Sequence, residues 1–95
     1  MENKEVYREK MEAKLKEWDA ELTELKAKLS QAKADAKIEY QKKIEDFKDK
    51  KEALEKKMDE FRSAGDDTWK EIKSRVEKAA SDLLSALDRA KSSMH

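Results

Sequence analysis

Phe61-Arg62-Ser63-Ala64-Gly65-Asp66-Asp67-Thr68-Trp69-Lys70-Glu71 contains the only glycine of this 95-residue chain, and proline occurs nowhere. Gly65 suits the left-handed position that follows the last turn of a helix. Asp66 and Asp67 come next, and Thr68-x-x-Glu71 has the spacing of a capping box at a new helix N-terminus. The stretch therefore predicts a helix ending near residue 63, a hinge over 64–67 and a second helix over about 68–94.

Upstream of the hinge, apolar residues fall at Met11, Leu15, Trp18, Leu22, Leu25, Leu29, Ala32, Ala36, Tyr40, Ile44, Phe47, Leu54, Met58 and Phe61, with Lys51 the one charged member of the series. The steps are threes and fours averaging about 3.57, a heptad seam with one stutter where three fours run together from Ala32 to Ile44. Acid-before-base pairs at i,i+4 (Glu12 and Lys16, Glu24 and Lys28, Glu39 and Lys43, Asp46 and Lys50, Glu52 and Lys56) support the same helix from its outer face. With no punctuation inside it, the seam predicts one helix over about residues 4–63, some 90 Å long at about 1.5 Å per residue.

Downstream, Trp69, Ile72, Val76, Ala79, Leu83, Leu87, Ala90 and Met94 form a second stripe, widened by Ala80, Leu84 and Ala86. Trp69, Ile72, Val76, Leu83 and Leu87 are the side chains expected to pack the hairpin. A short connection sets neighbouring helices antiparallel, so the second helix should cover the first back to about residue 36. Met11, Leu15, Trp18, Leu22, Leu25, Leu29, Ala32, Ala36 and Tyr40 then become the expected oligomer interface. At about 1.5–3 kcal/mol per large side chain, leaving this stripe in water would forfeit about 10 kcal/mol. The expectation is thus an all-α, oligomeric coiled coil: a long helix with a shorter one folded back, paired with a second copy. An antiparallel dimer crossing near residue 36 is favoured, with parallel dimers, trimers and an opened, swapped hairpin as the alternatives. In the favoured dimer, Lys51 would lie near Leu22 of the second copy. It either sets the register or lays its methylenes along the seam.

Composition agrees. Ala, Glu, Lys, Leu and Arg make up 57 of 95 residues, as in long helices. The 23 basic and 23 acidic residues cancel, which disfavours a nucleic-acid protein or a polybasic membrane-surface segment. The mixed-sign polar face of the second helix favours packing over lying on a bilayer. No apolar run is long enough to span a membrane, the N-terminus lacks a signal peptide's apolar core, and cysteine is absent, so a cytoplasmic location is the default.

Chemistry is sparse. One glycine excludes phosphate-cradling loops. The lone histidine, His95, is terminal, far from any nucleophile it could activate, and no glutamate is followed by histidine at the spacing of a di-iron bundle. Asp66 and Asp67 read as helix caps before they read as cation ligands. Trp18, Trp69, Tyr7 and Tyr40 sit in phase with the stripes and read as packing residues. No cofactor, metal or catalytic residue is expected. Tyr7-x-x-Lys10-Met11-Glu12 echoes Tyr40-x-x-Lys43-Ile44-Glu45 at an offset of 33.

The run from Gln31 to Arg62 (QAKADAKIEYQKKIEDFKDKKEALEKKMDEFR), the hinge Ala64-Gly65-Asp66-Asp67-Thr68-Trp69-Lys70-Glu71-Ile72-Lys73 and the leucine-bearing tail resemble the small bacterial coiled-coil stress-response proteins of cyanobacteria and proteobacteria. The likeness extends from Tyr7 to Lys91. Where that family often carries a second tryptophan, this chain has Ala79-Ala80-Ser81. The resemblance implies a soluble helical protein associated with stress, without a known activity and without site residues to carry over. Residues and resemblance together point to a non-enzymatic structural or protein-interaction coiled coil. The alternative is an amphipathic membrane- or client-protecting protein, partly disordered until it binds.

Overall fold

The computed structural model describes residues 3–93; Met94 and His95, included in the sequence reading above, lie outside them. Three helices account for nearly all of these residues: α1 (Lys4–Gln31), α2 (Ala34–Ser63) and α3 (Trp69–Ser93). They form a bundle measuring 51 × 18 × 17 Å.

The single helix expected over 4–63 is two helices. Ala32 (φ −74°, ψ 153°) and Lys33 (φ −69°, ψ 152°) leave the helical region and turn the chain back. Local preference does not ask for this, since alanine and lysine are good helix formers. The break sacrifices a few backbone hydrogen bonds, each worth about 1 kcal/mol net. In return, α1 lays its own stripe on the rest of the chain. Tyr7, Met11, Trp18, Leu22 and Leu25 are all buried, a gain of about 10 kcal/mol at the usual value per large side chain. The turn falls at the start of the stutter, where the nearest seam positions are Ala32 and Ala36 and little burial is lost.

Cross-helix pairs define the packing. Tyr7 tilts against Phe61 with ring centroids 5.2 Å apart, Glu12 meets Arg62 at 3.0 Å, and Asp19 is bonded to Lys51. Between α2 and α3, Phe61 meets the edge of Trp69 at 6.1 Å, and Asp46 lies 3.6 Å from Arg89. Phe47, Leu54, Met58, Phe61, Val76 and Leu83 form the fully buried centre.

The helix N-termini are built differently. Asn3 caps α1, its side-chain oxygen accepting from the Val6 amide at 2.9 Å, whereas Lys33 gives α2 no side-chain cap. Gly65 does not take the left-handed conformation expected of it. Ala64 instead leaves the helix in an extended conformation (φ −70°, ψ 140°). The Gly65 carbonyl then accepts from the amides of Thr68 and Trp69 at 3.1 and 3.2 Å. The expected capping box is replaced as well. The Thr68 hydroxyl turns back to the Gly65 carbonyl, and the Glu71 amide is taken by the Thr68 carbonyl.

Candidate functional site

The nine residues assigned to an oligomer interface fall into two groups. Met11, Trp18, Leu22 and Leu25 are buried in the chain's own core, and Leu15 and Leu29 pack half-buried against it. The premise that this stripe lacks an intramolecular cover therefore does not hold, because α1 turns at residue 32 and supplies that cover itself. Ala32, Ala36 and Tyr40 stay half-buried at the α1–α2 corner. Of the hairpin set, Val76, Leu83 and Leu87 lie in the core, with Trp69 and Ile72 partly buried against it.

Lys51 occupies the most unusual environment. Its stem is buried in the seam, and its ammonium is bonded to Asp19 of α1 and, at 2.8 Å, to Glu55 one turn along α2. Burial pulls the ammonium's pKa down, but the two carboxylates outweigh it and Lys51 titrates above the ordinary lysine value. The two sequence readings of Lys51 meet here, since its methylenes pack along the seam and its charge faces a single acceptor on α1. Nearer the other end, Glu12 accepts from Arg62 at 3.0 Å and from Arg8 at 3.2 Å. The Arg62 hydrogen bond, with Arg8 adding to it against a burial penalty, holds the Glu12 carboxyl below its usual value. These groups join helices and hold no vacant coordination geometry. Among the described residues, no group of three or more His, Cys, Asp or Glu side chains could hold a metal ion.

The α1–α2 corner combines exposed apolar surface with an excess of positive charge. Ile38 is 65% exposed and borders a groove along α2 with Gln41, Lys42, Glu45, Asp46 and Asp49, on the side of the helix away from the half-buried Ala36 and Tyr40. Over residues 26–43 six lysines (26, 28, 33, 37, 42 and 43) stand against Asp35 and Glu39, an excess of four in a chain with zero net charge. Lys28 and Lys43 are paired within their helices to Glu24 and Glu39. Lys26, Lys33, Lys37 and Lys42 make no ion pair among the described residues, so their field is turned to solvent. A shallow cleft at the turn itself is lined by Lys28, Gln31, Ala32, Lys33, Asp35, Ala36 and Tyr40.

Sequence reasoning about stripes missed Ile38, which lies off the seam, and the corner lysines, which balance only when the whole chain is counted. The local charge count carried the signal, but nothing in it located a turn.

A second groove of about 280 Å³ runs between α1 and α3, floored by Tyr7, Met11 and Trp18 and edged by the half-exposed Leu84. It exists because α1 leans on α2 much more than on α3. Among the described residues, no helix is long and apolar enough to cross a membrane. Comparison with protein families, curated proteins and solved structures finds no match to this chain.

Proposed function

We propose that this protein is a non-enzymatic helical interaction module, an antiparallel hairpin of α2 and α3 with α1 folded against it, that docks partners at the α1–α2 corner. The observation that carries the reading is the coincidence at one end of the bundle of Ile38, the most exposed large apolar side chain among the described residues, with Lys26, Lys33, Lys37 and Lys42, which form no ion pair among those residues. Apolar contact gives such a surface affinity, and the excess charge steers and selects an acidic partner. The partner expected is a protein segment with an apolar anchor flanked by carboxylates. A role in stress tolerance rests on the resemblance of the Gln31–Arg62 run and the hinge to bacterial stress-response proteins.

The test is affinity capture from stressed and unstressed cells with three forms of the protein: unaltered, Lys33→Glu/Lys37→Glu/Ile38→Ser at the corner, and Lys70→Glu at the far end. A partner lost with the corner variant and kept with the far-end variant supports the reading, while a partner retained by both removes it. The alternative, a lipid- or client-protecting protein that folds on binding, requires Val76, Leu83 and Leu87 to leave the core. Circular dichroism separates the two. Little helix in isolation and a gain on anionic vesicles would favour the alternative.

A further inference from the structure

We infer that the α1–α2 corner is a domain-swapping hinge, through which α1 exchanges between two copies of this chain to give a dimer with a continuous helix over residues 4–63. The inference goes beyond the docking reading and does not rest on it, since it uses the backbone of the corner and the register of the core, not the charge of the surface.

Four observations converge. First, the apolar seam keeps helical phase through the turn, from Met11 to Phe61, so a straightened chain still presents one stripe. Second, only Ala32 and Lys33 leave the helical region. Ala32 is half-buried and Lys33 exposed, so returning them to helix moves no fully buried side chain at the corner itself. Third, the closed corner is poorly capped. Lys33 offers no side-chain acceptor to the first amides of α2, and a continuous helix would pair those amides with the last carbonyls of α1. Fourth, the register within one chain is the register a pair would need. Tyr7 against Phe61 and Asp19 against Lys51 place α1 on α2 so that two straightened copies cross near residues 34–35, with every such contact remade between chains. Closed monomer and swapped dimer thus share one core and differ at the hinge and in the entropy of association, the situation in which a short hinge favours exchange.

The other corner lacks these properties. Ala64 is buried, Phe61 and Trp69 pack edge to face across the turn, and Lys4 donates to the carbonyls of Arg62 and Ala64, tying it to α1.

The experiment measures mass by light scattering and native mass spectrometry after refolding at micromolar and at millimolar chain concentration. The unaltered chain should be monomeric when dilute and yield dimer when refolded concentrated. Lys33→Pro discriminates. Proline fits the closed φ of −69°, and Ala32 before it already has the extended backbone that proline demands. Inside a continuous helix the same proline weakens the dimer by about 100-fold or more for each of its two long helices. Ala34→Pro, at the first position of α2, should behave alike. Monomer at every concentration, or a dimer equally stable in both proline variants, would overturn the inference. Loss of helicity in both variants would also overturn it, because the closed corner would then not have the geometry from which exchange begins.

Discussion

The two corners of this bundle turn the chain by different means. At Ala64–Thr68 the turn is marked by glycine, followed by two aspartates and a threonine, and the backbone bonds of Gly65 and Thr68 organise it. At Ala32–Lys33 nothing marks it: no glycine, no proline, no side-chain cap. Yet both helices end alike, with an alanine in extended conformation whose amide bonds the carbonyl three residues back, Ala32 to Leu29 at 3.1 Å and Ala64 to Phe61 at 3.2 Å. Punctuation residues are therefore one way to turn a helix, and burial that only a turned chain can achieve is another. Here the unmarked corner delivers α1 to the core, beside the more closely packed pair of α2 and α3 that the marked corner joins.

The sharpest way to break this comparison is to empty the seam that the unmarked corner closes. Leu25 is 1% exposed, and Leu25→Ala should destabilise the chain by about 2–5 kcal/mol in urea unfolding, from lost transfer energy and the cavity left behind. On a solvated α1 the same change would cost under about 0.5 kcal/mol. A small value would mean that α1 does not rest where the corner puts it.

Next in size is the bridge that pins α1 to α2. Lys51→Ala should cost about 1–3 kcal/mol, because the buried stem is lost together with both ion pairs. Lys51→Met keeps the stem, loses the charge and should be nearly neutral, since Asp19 is exposed and readily re-solvated. The pH dependence follows from the raised pKa of Lys51. The charged form is favoured by folding, so its contribution is complete below the unfolded value of about 10.4 and is lost as pH rises through the higher folded value. Melting curves from pH 9 to 12 should show a steeper loss of stability for the unaltered chain than for Lys51→Met. Parallel curves would indicate that the ammonium adds nothing.

Caps sharpen the comparison at about 1 kcal/mol. Asn3→Ala removes a cap that is present and should destabilise by about 1 kcal/mol, whereas Lys33→Asp supplies one that is missing and should stabilise the closed corner by a similar amount. Both are read from shifts in the urea midpoint at unchanged slope.

These magnitudes also explain what could be read from the residues alone. The helical class, the stripe from Met11 to Phe61 and a break near Gly65 follow from periodicity and composition, which are local, although neither the left-handed glycine nor the capping box expected at that break is present. The turn at Ala32–Lys33 does not follow in this way, because its cause is the cover that α2, distant in sequence, offers to α1 through pairs such as Phe61 with Tyr7 and Lys51 with Asp19. Its one local trace is the stutter from Ala32 to Ile44, which shows where the seam is thinnest but not that the chain bends there. The lysine-rich corner was legible as a charge count and became a surface only once the turn placed Lys33, Lys37 and Ile38 at one end.

The smallest prediction tests the marked corner. A glycine conserving a left-handed turn would make Gly65→Ala destabilising by about 1 kcal/mol. In this structure Gly65 has no positive φ, its carbonyl carries the turn, and a Cβ added there meets nothing within 4 Å. Alanine should therefore leave the folded state unstrained while narrowing the conformations open to the unfolded chain. Gly65→Ala is expected to stabilise by about 0.4–1 kcal/mol, a rise of a few degrees in melting temperature for a domain of this size. A fall instead of a rise would return Gly65 to the left-handed role that its place in the sequence suggests, and with it the view that this corner is set by its glycine and not by the packing of Phe61 against Trp69.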